Sequence, residues 1–237
     1  MFQSILSAFS WSKNPASLLL SYLREGNVQE VHKILFSQNP PRLQDVQGTE
    51  GYKPNLLIMS IHAPAIVAAL LDTYEDISGR DRSEAFLQAA NGGHVQTIEV
   101  LLDKSAAQIS NIDKEYAFRL AVENNHIPLI VKLLTRCGNQ INAQEKKFAL
   151  LDAAERGFVV AFFEIFTRVS DNLSNDDKNW VFEVIAENGY VDDLNLLLVS
   201  CIADKNQALV FSTDSTKARE KPETIEREFS GPRLCRR

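Results

Sequence analysis

Cysteine, histidine and paired acids are the residues of this chain that could carry chemistry by themselves. The thiols are Cys137, Cys201 and Cys235, and the imidazoles are His32, His62, His94 and His126. A cysteine nucleophile needs a thiolate beside a positioned base, and a metal needs ligands that converge. The sequence has no His-x-x-x-His pair, no Cys-x-x-Cys and no glycine-rich phosphate loop ahead of a helix. Cys137 and Cys201 lie 64 residues apart, and His94 and His126 lie 32 apart. Regular spacing predicts a repeated structural job: buried, inert thiols and turn histidines. His32 and His62 read as isolated. Asp176-Asp177 and Asp192-Asp193 read as helix-start residues, where a carboxylate meets the positive end of the helix. The expectation is a protein that is not an enzyme, with no catalytic residues, no metal and no cofactor.

Composition narrows the class further. The 237 residues are 45% hydrophobic and 24% charged, enough apolar material for a sizeable core. The net charge of −6 argues against a nucleic-acid partner, which attracts basic faces. No apolar run approaches the roughly 18 residues of a membrane span, so no membrane partner is expected. The start, "MFQSILSAFSW", lacks a basic stretch before its apolar residues and reads as a helix or cap, not a secretory signal. Three scattered cysteines fit a reducing compartment. Cys235 misses the spacing of a prenylation box. The expected location is cytoplasmic.

The elements that must position these residues repeat. "AFLQAANGGHVQTIEVLL" starts at Ala85, "AFRLAVENNHIPLIVKLL" at Ala117, "ALLDAAERGFVVAFFEIF" at Ala149 and "VFEVIAENGYVDDLNLLL" at Val181. The period is 32 residues without insertions. Columns read Phe86, Phe118, Leu150, Phe182, then Ala89, Ala121, Ala153, Ile185, then Leu102, Leu134, Phe166, Leu198. Periods of this length mean stacked units. Each unit reads as two helices, the first with apolar residues at i, i+3 and i+4. Between them stands Gly92-Gly93, Asn124-Asn125, Gly157 or Gly189, residues that tolerate positive φ.

Helix starts give the same register. Ser78, Ser110, Asn142 and Ser174 are each followed three residues later by an acid: Asp81, Asp113, Glu145 and Asp177. This is a capping-box-like signal. Ile77, Ile109, Ile141 and Leu173 precede the caps, and a basic column follows: Arg82, Lys114, Lys146, Lys178. Charge on a helix exterior reads by default as a solvated face. Upstream, "LLSYLREGNVQEVHKIL" and "LLIMSIHAPAIVAALLD" are two weaker units, the first starting at Asn14-Pro15, with a Pro- and Gly-rich loop at 38–55 between them. The division is 1–77 for a cap and two degenerate units, 78–203 for four regular units, and 204–237 for a terminal cap and a charged, disordered tail or short docking helix. The tail keeps Asn206 at the next cap position but has Leu209 where the acid should stand.

The units resemble ankyrin repeats. The match rests on "LQAANGGHVQTIEVLL", with its Ala-Ala pair, the Gly-His after the turn and the closing Leu-Leu. It covers roughly 15–203, most strongly 78–203. The usual Thr-Pro-Leu-His entry is replaced by "EAFL", "YAFR", "FALL" and "WVFE". The resemblance implies an all-α solenoid of about six stacked helix-turn-helix repeats. The glutamates of the tail are similar to secretion signals of effectors from intracellular bacteria, which implies a host-cell cytosol as the alternative location.

On the first helix, the face opposite the small residues carries further columns. One reads Glu84, Tyr116, Phe148, Trp180; the next Leu87, Arg119, Leu151, Glu183; a third Asn91, Glu123, Glu155, Glu187. The expectation is a concave face with aromatic anchors and an acidic rail that takes a protein partner. Its candidate residues are Leu87, Tyr116, Arg119, Glu123, Phe148, Leu151, Glu155, Trp180, Glu183 and Glu187. Packing of the aromatics on Ile109, Ile141 and Leu173 or on the neighbouring unit is the competing reading. "FVVAFFEIF" at 158–166 is apolar nearly all round, which puts Val160 and Phe163 in a secondary patch or under another element. The alternative function is a regulatory subunit that occludes an enzyme with the 38–55 loop or the tail. Partner identity and oligomeric state are not encoded legibly.

Overall fold

Each helix of the chain starts and stops where local chemistry dictates. The computed structural model describes residues 14–46 and 54–195. The expectations for residues 1–13, the middle of the 38–55 loop and the tail with Asn206 lie outside the described residues. The described residues all belong to one unit, residues 1–197. Their secondary structure is helical, with no strand among them.

The first helices of the units are α1 (Pro15–Glu25), α3 (Leu56–Met59), α5 (Gly79–Asn91), α7 (Asn111–Glu123), α9 (Ala143–Glu155) and α11 (Asn175–Glu187). The second helices are α2 (Val28–Leu35), α4 (Pro64–Thr73), α6 (Val95–Ser105), α8 (Ile127–Cys137) and α10 (Val159–Val169); residues 191–195 are again helical. First helices pack on first helices in the order α1, α3, α5, α7, α9, α11, and second helices likewise from α2 to α10. Side chains tie neighbouring units about one period apart. Lys104 pairs with Asp72, Lys132 with Glu99 and Arg136 with Asp103 along the second row. Asn124 donates to Asn91 along the first.

The caps hold the four long first helices in register. The N–H groups of Asp81, Asp113, Glu145 and Asp177 donate to the side chains of Ser78, Ser110, Asn142 and Ser174 at 3.0, 3.1, 2.8 and 3.1 Å. Each such cap is worth about 1 kcal/mol. Ile77, Ile109 and Ile141 are buried just ahead of them. The C-terminal ends close by backbone bonds that need one left-handed residue: Gly93 at φ 69°, Asn125 at 54°, Gly157 at 70°, Gly189 at 80°. The next N–H then reaches back five residues, as from His94 to the Ala89 carbonyl at 2.9 Å and from Phe158 to Ala153 at 2.8 Å. The degenerate second unit loses the start of its first helix. Asn55 caps the four-residue α3 and ties it to α5 by donating to the Asp81 carbonyl at 2.9 Å.

The basic column is not a solvated face. Arg82 and Lys114 are only 6% and 4% exposed, and Lys146 and Lys178 are half-buried. Arg82 donates from Nε to the Ile77 carbonyl at 3.0 Å and from Nη1 to Ser105 Oγ at 2.7 Å. Lys114 Nζ donates to the Ala106 carbonyl at 3.1 Å and Lys146 Nζ to the Gly138 carbonyl at 2.6 Å. Ala106 and Gly138 end α6 and α8. The last carbonyls of a helix lack intrahelical donors and form its negative pole, so a cation from the next unit satisfies both.

Candidate interaction face

Tyr116, Phe148 and Trp180 lie one period apart on α7, α9 and α11, and they are 46%, 47% and 42% exposed. They neither enter the core nor become covered by the adjacent first helix. Ile112, one turn before Tyr116, is 76% exposed and extends the apolar surface toward the helix starts. Lys147 Nζ lies 5.6 Å from the centre of the Trp180 ring and pairs with Asp177. That pairing, followed by the Ser174 hydroxyl, holds the Asp177 carboxyl below its usual range.

Glu123, Glu155 and Glu187 stand two turns further along the same helices, and Glu183 three residues beyond Trp180. Glu155, Glu183 and Glu187 are exposed and Glu123 is half-buried. None of the four joins an ion pair among the described residues. The two cations nearby are already engaged. Arg119 Nε donates to Glu145 at 3.2 Å, and Arg156 Nε to Asp152 Oδ1 at 2.8 Å. The other oxygen, Asp152 Oδ2, is buried without a hydrogen-bond partner among the described residues. Leu87 is half-buried beside Glu84, which is exposed.

Two expected site residues do not belong to a surface. Leu151 is 5% exposed and Phe163 is 9% exposed. The reason is the number of neighbours each helix has. α9 packs on α7, α10 and α11, and α10 packs on both α8 and α9, so each buries a wider arc than one apolar stripe. Of the secondary patch only Val160 remains exposed, at 43%.

Cys137 is buried at the end of α8, and burial raises its thiol above the ordinary range. Cys201 and Cys235 lie outside the described residues. Asp176 and Asp177 sit in the first turn of α11, and Asp192 and Asp193 are exposed. Among the described residues no group of three or more His, Cys, Asp or Glu side chains is arranged to hold a metal ion. No helix among them is long and apolar enough to cross a membrane.

The histidines form a longer column than the sequence reading found. His62 is 32 residues before His94, and their rings meet edge-on with centroids 4.5 Å apart. His126 Nε2 donates to the Asn91 carbonyl at 2.9 Å and its ring lies over Gly93, where a Cβ would stand 2.8 Å from Nδ1. Burial, then the His62 and His126 charges, lower the His94 pKa. Phe158 and Tyr190 continue the column, with the Tyr190 ring over Gly157. Simple arithmetic on residue numbers would have joined His62 to its neighbours. Its weak unit hid it.

Comparison with family models, with curated proteins and with solved structures gives no match.

Proposed function

We propose that the chain is a non-catalytic protein-interaction module, a solenoid of divergent ankyrin-like helix pairs that binds a protein partner on its first-helix face. The supporting observation is the in-register column of Tyr116, Phe148 and Trp180, each left more than two-fifths exposed. Single exposed apolar residues are ordinary, but a contiguous aromatic row rimmed by charge marks an interaction surface. Aromatic side chains also supply most of the energy at interface centres. The face comprises Tyr116, Phe148 and Trp180 with Leu87 and Arg119, bordered by Glu123, Glu155, Glu183 and Glu187.

The test is affinity capture with the full chain and with a Tyr116→Ala, Phe148→Ala, Trp180→Ala variant whose helical circular dichroism matches the parent. Loss of partner proteins from the triple variant, with retention by Val160→Ser, is the expected result. An unchanged set of captured proteins would refute the assignment of the face.

A further inference from the structure

The charge and spacing of this face define what fits it. We propose that the occupant is a basic amphipathic α-helix of the partner, lying across α7, α9 and α11 with one apolar residue every seven. The inference rests on the docking face proposed above and names its ligand class.

Spacing comes first. Packed helices stand about 8–10 Å apart, so the aromatic column offers one anchor per 8–10 Å. Seven residues of helix rise about 10.5 Å and return to the same face within about 20°. A β-strand presents one face every 6.6–6.8 Å or so and slips out of step with the column. A polyproline chain returns about every 9.3 Å and matches the pitch, but not the width of the face. The acid column lies seven residues along each first helix from the aromatics, about 10.5 Å away. A helix is about 10–12 Å across with its side chains, so one seated on the rings brings its flank within about 5 Å of the acid column, a gap that lysine or arginine side chains span.

Charge comes second. Glu155, Glu183 and Glu187 have no ion-pair partner among the described residues. Arg119 and Arg156 are neutralised by Glu145 and Asp152. The C-terminal ends of α7, α9 and α11 point their negative poles to the same side. On the other side Ile112 is exposed. Ile112 has exposed Gln144 and Asp176 as its equivalents on α9 and α11, so the requirement that all three helices share is lysine or arginine on the flank facing the acids.

The test uses three synthetic 18-residue probes and the full chain, read by fluorescence anisotropy. The first is alanine-based with leucine at positions 3, 10 and 17 and lysine at positions 4, 8, 11, 15 and 18. The second replaces each lysine by glutamate. The third is proline-rich with leucine at every third position from 3 to 18 and lysine at positions 4, 7, 10, 13 and 16. The first should bind at least about tenfold more tightly than the others, lose binding to the triple alanine variant and weaken about threefold on Glu155→Gln with Glu187→Gln. Equal binding of the glutamate or proline-rich probe overturns the proposal, as does binding that survives the triple variant. Sedimentation showing a second copy of the chain on this face, lost in the triple variant, overturns it too. If no probe binds while protein capture still depends on the aromatic column, the docking face stands and the basic helix is refuted.

Discussion

Replacing Arg82 by methionine tests the claim that the basic column joins units. The methionine stem keeps most of the volume and removes every donor. Arg82 loses its bonds to the Ile77 carbonyl and to Ser105 Oγ, and a longer one of 3.4 Å to the Glu75 carbonyl. Hydrogen bonds to a charged group contribute about 1.5–3 kcal/mol each, and a buried acceptor left without a donor costs about 1–3 kcal/mol. Relief of the buried guanidinium charge offsets part of this, several kcal/mol in the limit. The two strong bonds together leave a net loss of about 3 kcal/mol, a fall in Tm of about 6–12 °C for a chain of this size. Arg82→Lys should cost only about 1 kcal/mol, because Lys114 and Lys146 perform the same job with a single bond. Urea titration followed by circular dichroism gives the totals, and hydrogen exchange of residues 95–105 locates the loss. A methionine variant within about 0.5 kcal/mol of the parent would refute the reasoning, as would a lysine variant equally damaged.

Other consequences follow from turns, rings and thiols. Gly157→Ala should destabilise more than Gly189→Ala, although both have positive φ, because a Cβ at 157 would stand 2.3 Å from the Tyr190 ring and one at 189 meets nothing within 4 Å among the described residues. Strain at 189 alone should cost about 1 kcal/mol, and thermal melts of the pair would expose the difference. His94 has a folded pKa below its ordinary 6.5, so the unfolded chain binds more protons. Its stabilising contribution is present above pH 6.5 and lost as pH falls through the folded value. His94→Phe should flatten the melting temperature between pH 7 and 5; an unaltered slope would count against the ladder. Cys137 should react with a thiol reagent only on unfolding, and peptide mapping after labelling in native buffer would show otherwise if the thiol is open.

Much of the helix register was legible because caps are local chemistry. Ser78, Ser110, Asn142 and Ser174 act through bonds to residues three positions away, so their spacing alone carries the information. The positive-φ turns are legible for the same reason. Burial is not local. Leu151 and Phe163 lie off the main apolar stripe and are buried because α9 and α10 have several neighbours. The basic column misled for a related reason: a helical wheel shows that Arg82 and Lys114 leave the core stripe, not that the end of the preceding second helix lies there. A cation kept at one position in four successive units, with Ser105 and Cys137 each 23 residues beyond its cation, was the available hint. The exposed aromatics could be placed on a face by spacing, but whether the adjacent unit covered them depended on three-dimensional packing.

The side-chain ties between units have a mechanical meaning. Among the described residues the longest such hydrogen bond, Thr97 to the Ile61 carbonyl, spans 36 positions, so tension applied to the two ends meets no distant clamp. Helix pairs should peel away in succession, each releasing a contour of about 110 Å from 32 residues at 3.3–3.6 Å apiece. A binder bridging α7, α9 and α11 would be the brace that fuses three of those steps into one.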